Sequence, residues 1–476
     1  MLNPDAKAKE TEQEQFCRAK TLLSDILRLP TIKKALEGEG AAPASRVYTQ
    51  AVTIWLLILQ RLGGGLSLAQ SVKDLIENHR DLLPQNRRVT EGKLSENNSA
   101  YNVARQELLY QVIEDFSNRI CNHLARRAAP AYEGSRVFIL DGTTMTLPPT
   151  PQLKKEFPPA TNQHGESVWP VARLLVACEM QTGCVLVPQI NPMYGPNNCG
   201  ETEQATAAID ALPRDSIVMA DSGFGIFSVA QRCQLNAQRF LFRLTKQRFR
   251  AHLKKAQLVE EGQGYRTYHS LWKPSAQELR NNPHLTKDAL IEVFIHQVDL
   301  DNGSTLELVT NIQTDALSLA GLYQRRYDIE FDIRDLKVTM DTENIRAKSV
   351  DTVKKELLGS VIAFNLVAQF RKQAAALAGV PPRRLSFTGV WTSFQYGLLQ
   401  KDIATPEEGR LAYTKALVSA AGQVLPNRKK PRSYPRVAHT RRQKSTKFQK
   451  DQQKIKAAER AAEKTKTEEP KEIPPD

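Results

Sequence analysis

Two aspartates follow predicted β-strands and could line one functional site together. Asp141 comes directly after the apolar segment RVFIL, and Asp221 comes directly after the segment SIVMA. Side chains at the ends of strands commonly line functional sites. Gly223 allows a tight turn before a predicted helix that starts at Phe224. Either aspartate alone is more typical of a turn, but two acids at the ends of neighbouring core strands favour a shared site.

A polar stripe on a predicted helix could complete this site. Tyr323, Arg326, Glu330 and Lys337 occur in the segment LYQRRYDIEFDIRDLK. At about 100° per residue, the four side chains fall within about 60° of arc on one face of an α-helix. An apolar stripe borders that face and predicts that the helix packs against the sheet. Its members are Leu322, Ile329, Ile333 and Leu336.

A structural interpretation of the same helix stays open on geometry alone. The polar stripe could be an exposed, ion-paired surface in which Glu330 and Arg334 form an ordinary i,i+4 pair. Asp328, Asp332 and Asp335 fall on the opposite side of the helix from Glu330. We predict that these three aspartates are solvent-exposed surface charges.

The spacing of the polar stripe, Y-x2-R-x3-E-x6-K, matches at every position the YREK signature of the bacterial insertion-sequence-four family of DDE transposases. Together with the two strand-end aspartates, in DGT and DSGF, it makes the chain resemble members of that family. The correspondence runs from about residue 136 to residue 340, with a looser likeness in the stretch SENNSAYNVARQELL. Residues 427–476 match no pattern of the family.

The resemblance implies that Asp141, Asp221 and Glu330 are the metal-binding DDE triad. Three hard carboxylates suit Mg²⁺ or Mn²⁺ better than zinc. Two such ions can activate a water or a 3′-hydroxyl and stabilise the leaving oxygen in an in-line phosphoryl transfer. Carboxylates that only hold metal ions need no Ser/His or Cys/His pair beside them.

The resemblance also implies that Tyr323, Arg326 and Lys337 bind DNA phosphates near the cut end. Arg and Lys neutralise phosphate, and a tyrosine hydroxyl can donate to it. Family members often excise through a DNA hairpin, which is stabilised when a flipped base stacks on an aromatic residue of a β insertion. Trp272 is the only tryptophan of that insertion here and is the candidate for this role. Packing in the core is the alternative, because other aromatic residues are nearby.

The order of predicted elements favours an α/β ribonuclease-H-like catalytic domain with an inserted β subdomain, flanked by helical N-terminal and C-terminal regions. Three β segments are followed by helix, strand, helix and strand. A doubly wound nucleotide-binding fold would instead place a helix after the first strand. Within the insertion, residues 291–300 and 304–311 flank a DNG turn and predict a hairpin.

Six regions follow from this order and from changes in composition. The first region contains predicted helices at 51–62, ended by three glycines, and at 99–127. The six are a helical DNA-binding region (1–130), the first part of the catalytic core (131–244), the β insertion (245–311), the second part of the core with the YREK helix (312–378), a helical region that is a candidate for dimerisation (379–426) and a disordered tail (427–476).

Charge and hydropathy narrow the class of partner. The 476 residues carry a formal net charge of +14, and residues 427–450 hold ten Lys and Arg without an acid. This excess favours a polyanionic partner, although a solubilising tail is the alternative. The longest apolar run, 51–59, is far shorter than the roughly 20 residues of a membrane-spanning helix. With no apolar leader at the N-terminus, we expect a cytoplasmic, nucleoid-associated protein with no membrane partner. The scattered cysteines predict free, structural thiols.

These features predict a cut-and-paste DNA transposase. It would cleave transposon-end DNA with Mg²⁺ or Mn²⁺, two ions in all, and transfer the freed 3′-ends into target DNA. Because each element has two ends, catalysis would require a synaptic assembly of at least two protomers, and we expect a homodimer. The alternatives are a metal-dependent nuclease of the same fold that does not join strands, and a domesticated, non-catalytic DNA-binding protein.

Overall fold

Helices make up the first part of the chain that the structure describes. The computed structural model describes residues 46–426, except 79, 81, 82, 127, 164 and 399–405. The N-terminal helices are α1 (Gln50–Leu62), α2 (Leu68–Asn78), α3 (Arg87–Thr90), α4 (Ser99–Glu107) and α5 (Tyr110–Arg126). The predicted break after α1 is confirmed, because Gly64 and Gly65 have φ of +83° and +80°, which favour glycine. The predicted tail, 427–476, lies outside the described residues.

The long helix predicted over 99–127 is wrong in one respect, because the structure divides it into α4 and α5. Leu108 leaves the helix with ψ of 119°, while its side chain is buried in the main core. The tertiary contact of this leucine therefore outweighs the helical propensity of the segment.

A ten-stranded mixed sheet forms the centre of the molecule. Its first strands are β1 (Val137–Thr146), β2 (Pro159–Asn162), β3 (Gly165–Glu179), β4 (Val185–Pro192), β5 (Ile217–Ala220) and β6 (Arg239–Arg243). Strand β3 pairs antiparallel with β1 and β4, whereas β1, β5 and β6 are parallel. Helix α6 (Pro151–Glu156) follows β1, α7 (Glu201–Ala211) follows β4 and α8 (Phe227–Leu235) follows β5. The predicted order of three strands, helix, strand, helix and strand is confirmed, with α6 and the short β2 as additions.

The centre of this sheet is covered on both faces. Residues 137–140 of β1 and all four residues of β5 are buried. Continuous apolar runs such as VFIL and IVMA are typical of strands that lie between two layers of helices. The apolar character of these runs therefore places the sheet in the core.

The region 245–311 continues the same sheet. It contains α9 (Lys246–Leu253), β7 (Gln257–Gly262), β8 (Tyr265–Trp272), α10 (Ala276–Asn281), β9 (Ile291–Asp299) and β10 (Thr305–Thr310). The predicted hairpin is confirmed as β9 and β10, with Gly303 at φ +76° in its turn. Strand β10 pairs antiparallel with β6, so the strand order runs from β6 through β10, β9 and β8 to β7.

Helices complete the described chain. They are α11 (Ala316–Gln324), α12 (Asp328–Arg334), α13 (Val350–Ala378), α14 (Phe387–Leu398) and α15 (Pro406–Ala421). A 3₁₀ turn at Arg325–Tyr327 joins α11 to α12, and a π turn at Asp335–Thr339 follows α12. We call the run 316–339 the signature helix. The long α13 packs against α1 and α5, and its Asn365 hydrogen-bonds both main-chain groups of Val185 on β4 at 2.7 Å. Within the described ranges, no helix is long and apolar enough to cross a membrane.

Candidate active site

The two aspartates lie beside each other where β1 and β5 separate. The parallel register pairs Ile139 with Met219, and β5 ends at Ala220. Two further steps along the register bring Asp141 opposite Asp221. The prediction that Asp141 ends its strand is wrong, because β1 continues to Thr146 in a ladder with β3. The carboxylate still faces an open edge, since β5 stops beside it.

The environment of Asp141 disfavours its charged form. Burial, with added repulsion from Asp221 and Glu201, raises the pKa of Asp141 to about 6, against the opposing effects of the Gly142 amide and Arg326. The main-chain amide of Gly142 donates to Asp141 Oδ1 at 2.8 Å. A carboxylate that is buried among other acids is stabilised by a bound cation.

Arg326 links the third member of the triad to the first. Its side chain is 11% exposed, with Nη1 at 3.8 Å from Asp141 Oδ2 and Nη2 at 2.9 Å from Glu330 Oε1. The Glu330 side chain is 55% exposed. Helix α12 packs directly on β1. The structure therefore brings Asp141, Arg326 and Glu330 together, with the arginine between the two carboxylates.

Tyr323 and Lys337 also face this edge of the sheet. The Tyr323 ring is buried, its hydroxyl has no hydrogen-bond partner within the described part of the chain, and burial raises its pKa. Lys337 Nζ donates to Thr143 Oγ1 at 3.1 Å and to the Thr144 carbonyl at 2.7 Å. Although the 3₁₀ and π turns alter the regular α-helical rotation, Arg326 and Lys337 both contact residues of β1.

The prediction that Asp328, Asp332 and Asp335 are exposed surface charges is wrong. Asp332 and Asp335 are buried, and Asp328 is half-buried. Arg371 of α13 lies 3.5 Å from Asp332 and 3.7 Å from Asp335, and Arg383 lies 2.6 Å from Asp332. The reason is that α13 and the segment after it cover the back of the signature helix. We call Asp332, Asp335, Arg371 and Arg383 the buried charge cluster.

Sequence reasoning missed a fourth carboxylate in the site. Glu201 is the first residue of α7, and a Cβ atom placed on Gly142 would lie 1.8 Å from Glu201 Oε1. Burial raises the pKa of Glu201, with Asp221 adding to the effect and Arg173 opposing it. The position of Glu201 in the sequence could have indicated this, because it begins the first predicted helix after the three predicted strands, and that end of the helix lies at the same edge of the sheet as Asp141.

The donor set fits a hard divalent cation in its chemistry. The candidate ligands are all carboxylates, and Asp141 lies among the negative charges of Asp221 and Glu201, which a cation would neutralise. In the arrangement of residues 46–426 with their gaps, no group of three or more His, Cys, Asp or Glu side chains is close enough to hold a metal ion. Glu330 is turned toward Arg326, so metal binding by all three acids requires this carboxylate to reorient.

Trp272 is the last residue of β8. It is 8% exposed and makes edge-on contacts with Phe227 at 5.9 Å and His252 at 5.0 Å. It also lines a cleft of about 1610 Å³ between α8 and the strands of the insertion. Burial of His252 in the same contacts lowers its pKa to about 4. Arg248, another lining residue, donates to the carbonyl of Ser222, next to Asp221.

Comparisons with known proteins give one family. Residues 132–366 match the family model of the transposase DDE domain. The transposase InsG for insertion sequence element IS4 of Escherichia coli (strain K12) is 24% identical over 438 residues, which cover 88% of this chain and 92% of that protein. A cryo-EM structure of a piggyBac transposase synaptic complex with hairpin DNA is 10% identical with a TM-score of 0.38, covering 87% of this chain and 85% of that one, a likeness too low to bear on the fold. The chain is a DDE transposase of the insertion-sequence-four family.

Proposed function

We propose that Asp141, Asp221 and Glu330 are the metal-binding triad with which this transposase cuts the ends of its element and joins the freed 3′-ends to target DNA. The observation that carries the proposal is the juxtaposition of the two aspartates at one edge of the sheet, with Glu330 reaching the same edge through Arg326. The core would be ribonuclease-H-like, an assignment supported by the strand order β4-β3-β1-β5-β6.

The three carboxylates would hold Mg²⁺ or Mn²⁺, and we propose two ions. When bound, the ions would activate a water or a 3′-hydroxyl and stabilise the leaving oxygen. Arg326 neutralises Asp141 and Glu330 in the described arrangement. We propose that Arg326 moves to a DNA phosphate as metal binds, which frees Glu330 to turn toward the aspartates.

The remaining signature residues would hold the DNA strand. The buried hydroxyl of Tyr323, which has no hydrogen-bond partner among the described residues, would donate to a phosphate oxygen once DNA binding uncovers it. Lys337 supplies a positive charge two to three residues along β1 from Asp141. Trp272 would act within the cleft beside α8. Its burial and its contacts with Phe227 and His252 support a packing role first, with only its cleft-facing edge left for DNA.

The wider organisation is proposed on the same basis. The N-terminal helices would bind transposon-end DNA, and the helices after residue 379 would join two protomers in the synaptic complex, as a homodimer. The InsG relative is bacterial, so we place the protein on nucleoid DNA in the cytoplasm. The assembly rests on the chemistry of a two-ended element, and the location rests on the bacterial relative.

The test is an in vitro reaction of the full chain with labelled element-end DNA and a target plasmid. We expect cleaved and joined products with Mg²⁺ or Mn²⁺, none with a chelator, and none for Asp141→Asn, Asp221→Asn or Glu330→Gln. Glu156→Gln, the same chemical change on an exposed residue of α6, is the control and should react like the wild type.

Each other outcome supports a different conclusion. Cleavage without joining would favour a nuclease, and DNA binding without cleavage under any metal would favour a domesticated DNA-binding protein. Activity that persists in Glu330→Gln would disprove the triad assignment.

A further inference from the structure

A second polar cavity lies between the N-terminal helices and the start of α13. It has a volume of about 590 Å³ and is lined by parts of α1, α4 and residues 346–349. Neither aspartate of the triad and none of the four signature residues lines it. The cavity is therefore distinct from the site described above.

Cations outnumber acids in the lining. Arg61 and Arg105 are 7% and 5% exposed, whereas Arg346 and Lys348 are exposed at the rim. The acid that lines the cavity is Glu356, which Arg105 contacts directly and from which Arg61 lies 3.6 Å. Four positive charges thus face one carboxylate, and an anionic ligand would balance the excess.

The nearest other acid does not remove this excess. The Asp341 carboxylate lies near Arg61 and accepts from the side chain of Asn344. Arg61 Nη1 donates to the Asp341 main-chain carbonyl at 2.7 Å. Counting Asp341 with Glu356, two acids face four cations, so a net positive charge remains.

The deep wall also offers hydrogen-bond donors. The Nε of Arg105 has no hydrogen-bond partner within the described residues, although the side chain is buried. Five amide side chains line the cavity, and they are Gln60, Asn98, Asn102, Gln106 and Gln152. Guanidinium and amide donors around an excess of positive charge suit phosphate oxygens rather than an apolar molecule.

The cavity continues the edge of the active site. Lys337, whose ammonium contacts residues 143 and 144 of β1, accepts through its carbonyl from the Glu343 amide at 3.1 Å. Beyond the end of β1, Thr150 Oγ1 donates to the Lys348 carbonyl at 2.9 Å. One segment, 337–349, therefore leads from the proposed phosphate contact of Lys337 to both rim cations.

We propose that this cavity holds phosphates of the DNA backbone of the element end, next to the strand held by Lys337. The proposal rests on the proposed function, in which Lys337 contacts DNA. Arg346 and Lys348 would make the rim contacts, and Arg61 and Arg105 would supply the positive charge behind them. The cavity binds phosphate and reads no bases.

The test uses Arg346→Gln/Lys348→Gln in the full chain, since both side chains are exposed and their loss leaves the core intact. Affinity is measured at several salt concentrations, with chelator present, for a duplex carrying the terminal repeat and for a duplex of unrelated sequence. Each lost phosphate contact lowers the slope of log affinity against log salt by about 0.9, so the double variant should lose about 1.8. The ratio of wild-type to double-variant affinity should then fall about 12-fold as the salt concentration rises from roughly 50 to 200 mM. Both duplexes should respond equally.

The control is Arg214→Gln, an exposed arginine outside the cavity. Arg214 precedes β5 and so lies at the other end of that strand from Asp221. This control should keep the wild-type slope. Because chelator is present throughout, the measured DNA affinity does not depend on metal binding by the triad, and the two proposals are tested separately.

Three outcomes would overturn the proposal. One is a salt dependence of DNA affinity that is as steep in the double variant as in the control. Another is a loss confined to the terminal-repeat duplex, which would indicate base reading. The third comes from thermal unfolding of wild type and double variant in millimolar inorganic phosphate. Stabilisation of the wild type alone, together with unchanged DNA slopes, would assign the cavity to a free anion.

Discussion

Replacing Arg371 by methionine tests whether the buried charge cluster holds the signature helix. Arg371 contacts two carboxylates, Asp332 and Asp335, whose side chains are 1% and 8% exposed. Removing one partner of a buried ion pair costs about 3–5 kcal/mol, because an uncompensated charge stays buried. For a cooperative unit of about 400 residues, with roughly 2.1 cal/mol/K of unfolding entropy per residue, this cost lowers Tm by about 4–6 °C.

The assay is thermal unfolding of the full chain, with Arg232→Met as the matched control. Arg232 also pairs with an aspartate, Asp210, but its side chain is 42% exposed. Surface ion pairs contribute about 0–1 kcal/mol, so the control should lower Tm by about 1 °C or less. The same chemical change is thus made in a buried and in an exposed ion pair.

The cluster should also affect cleavage, because Asp332 is two residues from Glu330. Below the Tm of both variants, Arg371→Met should cleave at least about tenfold more slowly than Arg232→Met, since small displacements of a reacting group cost large factors in rate. Equal Tm values and equal cleavage for the two variants would refute the reasoning. A lowered Tm with full cleavage would make the cluster a stabilising element that does not position Glu330.

Three further predictions concern the carboxylates of the site and the proposed phosphate contact of Lys337. Glu201→Gln should weaken Mn²⁺ binding about tenfold or more. Gly142→Ala should have the same effect, because its Cβ would lie 1.8 Å from Glu201 Oε1 and would displace that carboxylate. Electron paramagnetic resonance of bound Mn²⁺ measures both, and Gly142→Ala that binds Mn²⁺ like the wild type would contradict the geometry. Because the pKa of Asp141 is raised to about 6, metal must displace a proton at lower pH, so apparent Mn²⁺ affinity should fall about tenfold per unit below pH 6 and level off above it. In the metal-free protein the raised pKa of Asp141 means that protonation of this carboxyl stabilises the folded state, and this stabilisation is lost as pH rises through about 6. The free energy of unfolding, measured from pH 4 to 7, should show this loss in the wild type and not in Asp141→Asn. Lys337→Met should lower the salt slope of DNA binding by about 0.9, and an unchanged slope would remove Lys337 from the phosphate contacts.

The parts of the site that depend on local spacing were predictable from the sequence. The rotation of an α-helix placed Tyr323, Arg326, Glu330 and Lys337 on one face, and the π turn altered that rotation without turning Lys337 away from β1. Alternation between apolar runs and turn residues predicted the order of strands and helices along the chain. These features are set by neighbours in the chain, so a single sequence contains them.

The parts that depend on distant partners were not predictable. Asp332 looks like surface charge from its own helix and is buried because Arg371 and Arg383 meet it from 39 and 51 residues further along. The position of Glu201 in the chain indicates the correct edge of the sheet, but an acid at the start of a helix is common for electrostatic reasons alone, so the sequence does not single it out as a site residue. No periodicity in one sequence indicates which arginine or which glycine such a carboxylate will meet.

The pairing of β10 with β6 has a consequence for synthesis of the chain. The central strands through β6 are complete at Arg243, but the partner of β6 begins at Thr305. At about 5–20 residues per second, a nascent chain presents β6 as an open edge for several seconds before its partner is made. An open edge strand pairs readily with other chains. Products that terminate between these strands are therefore aggregation-prone and also lack Glu330, so interrupted synthesis yields insoluble material rather than a partly active transposase.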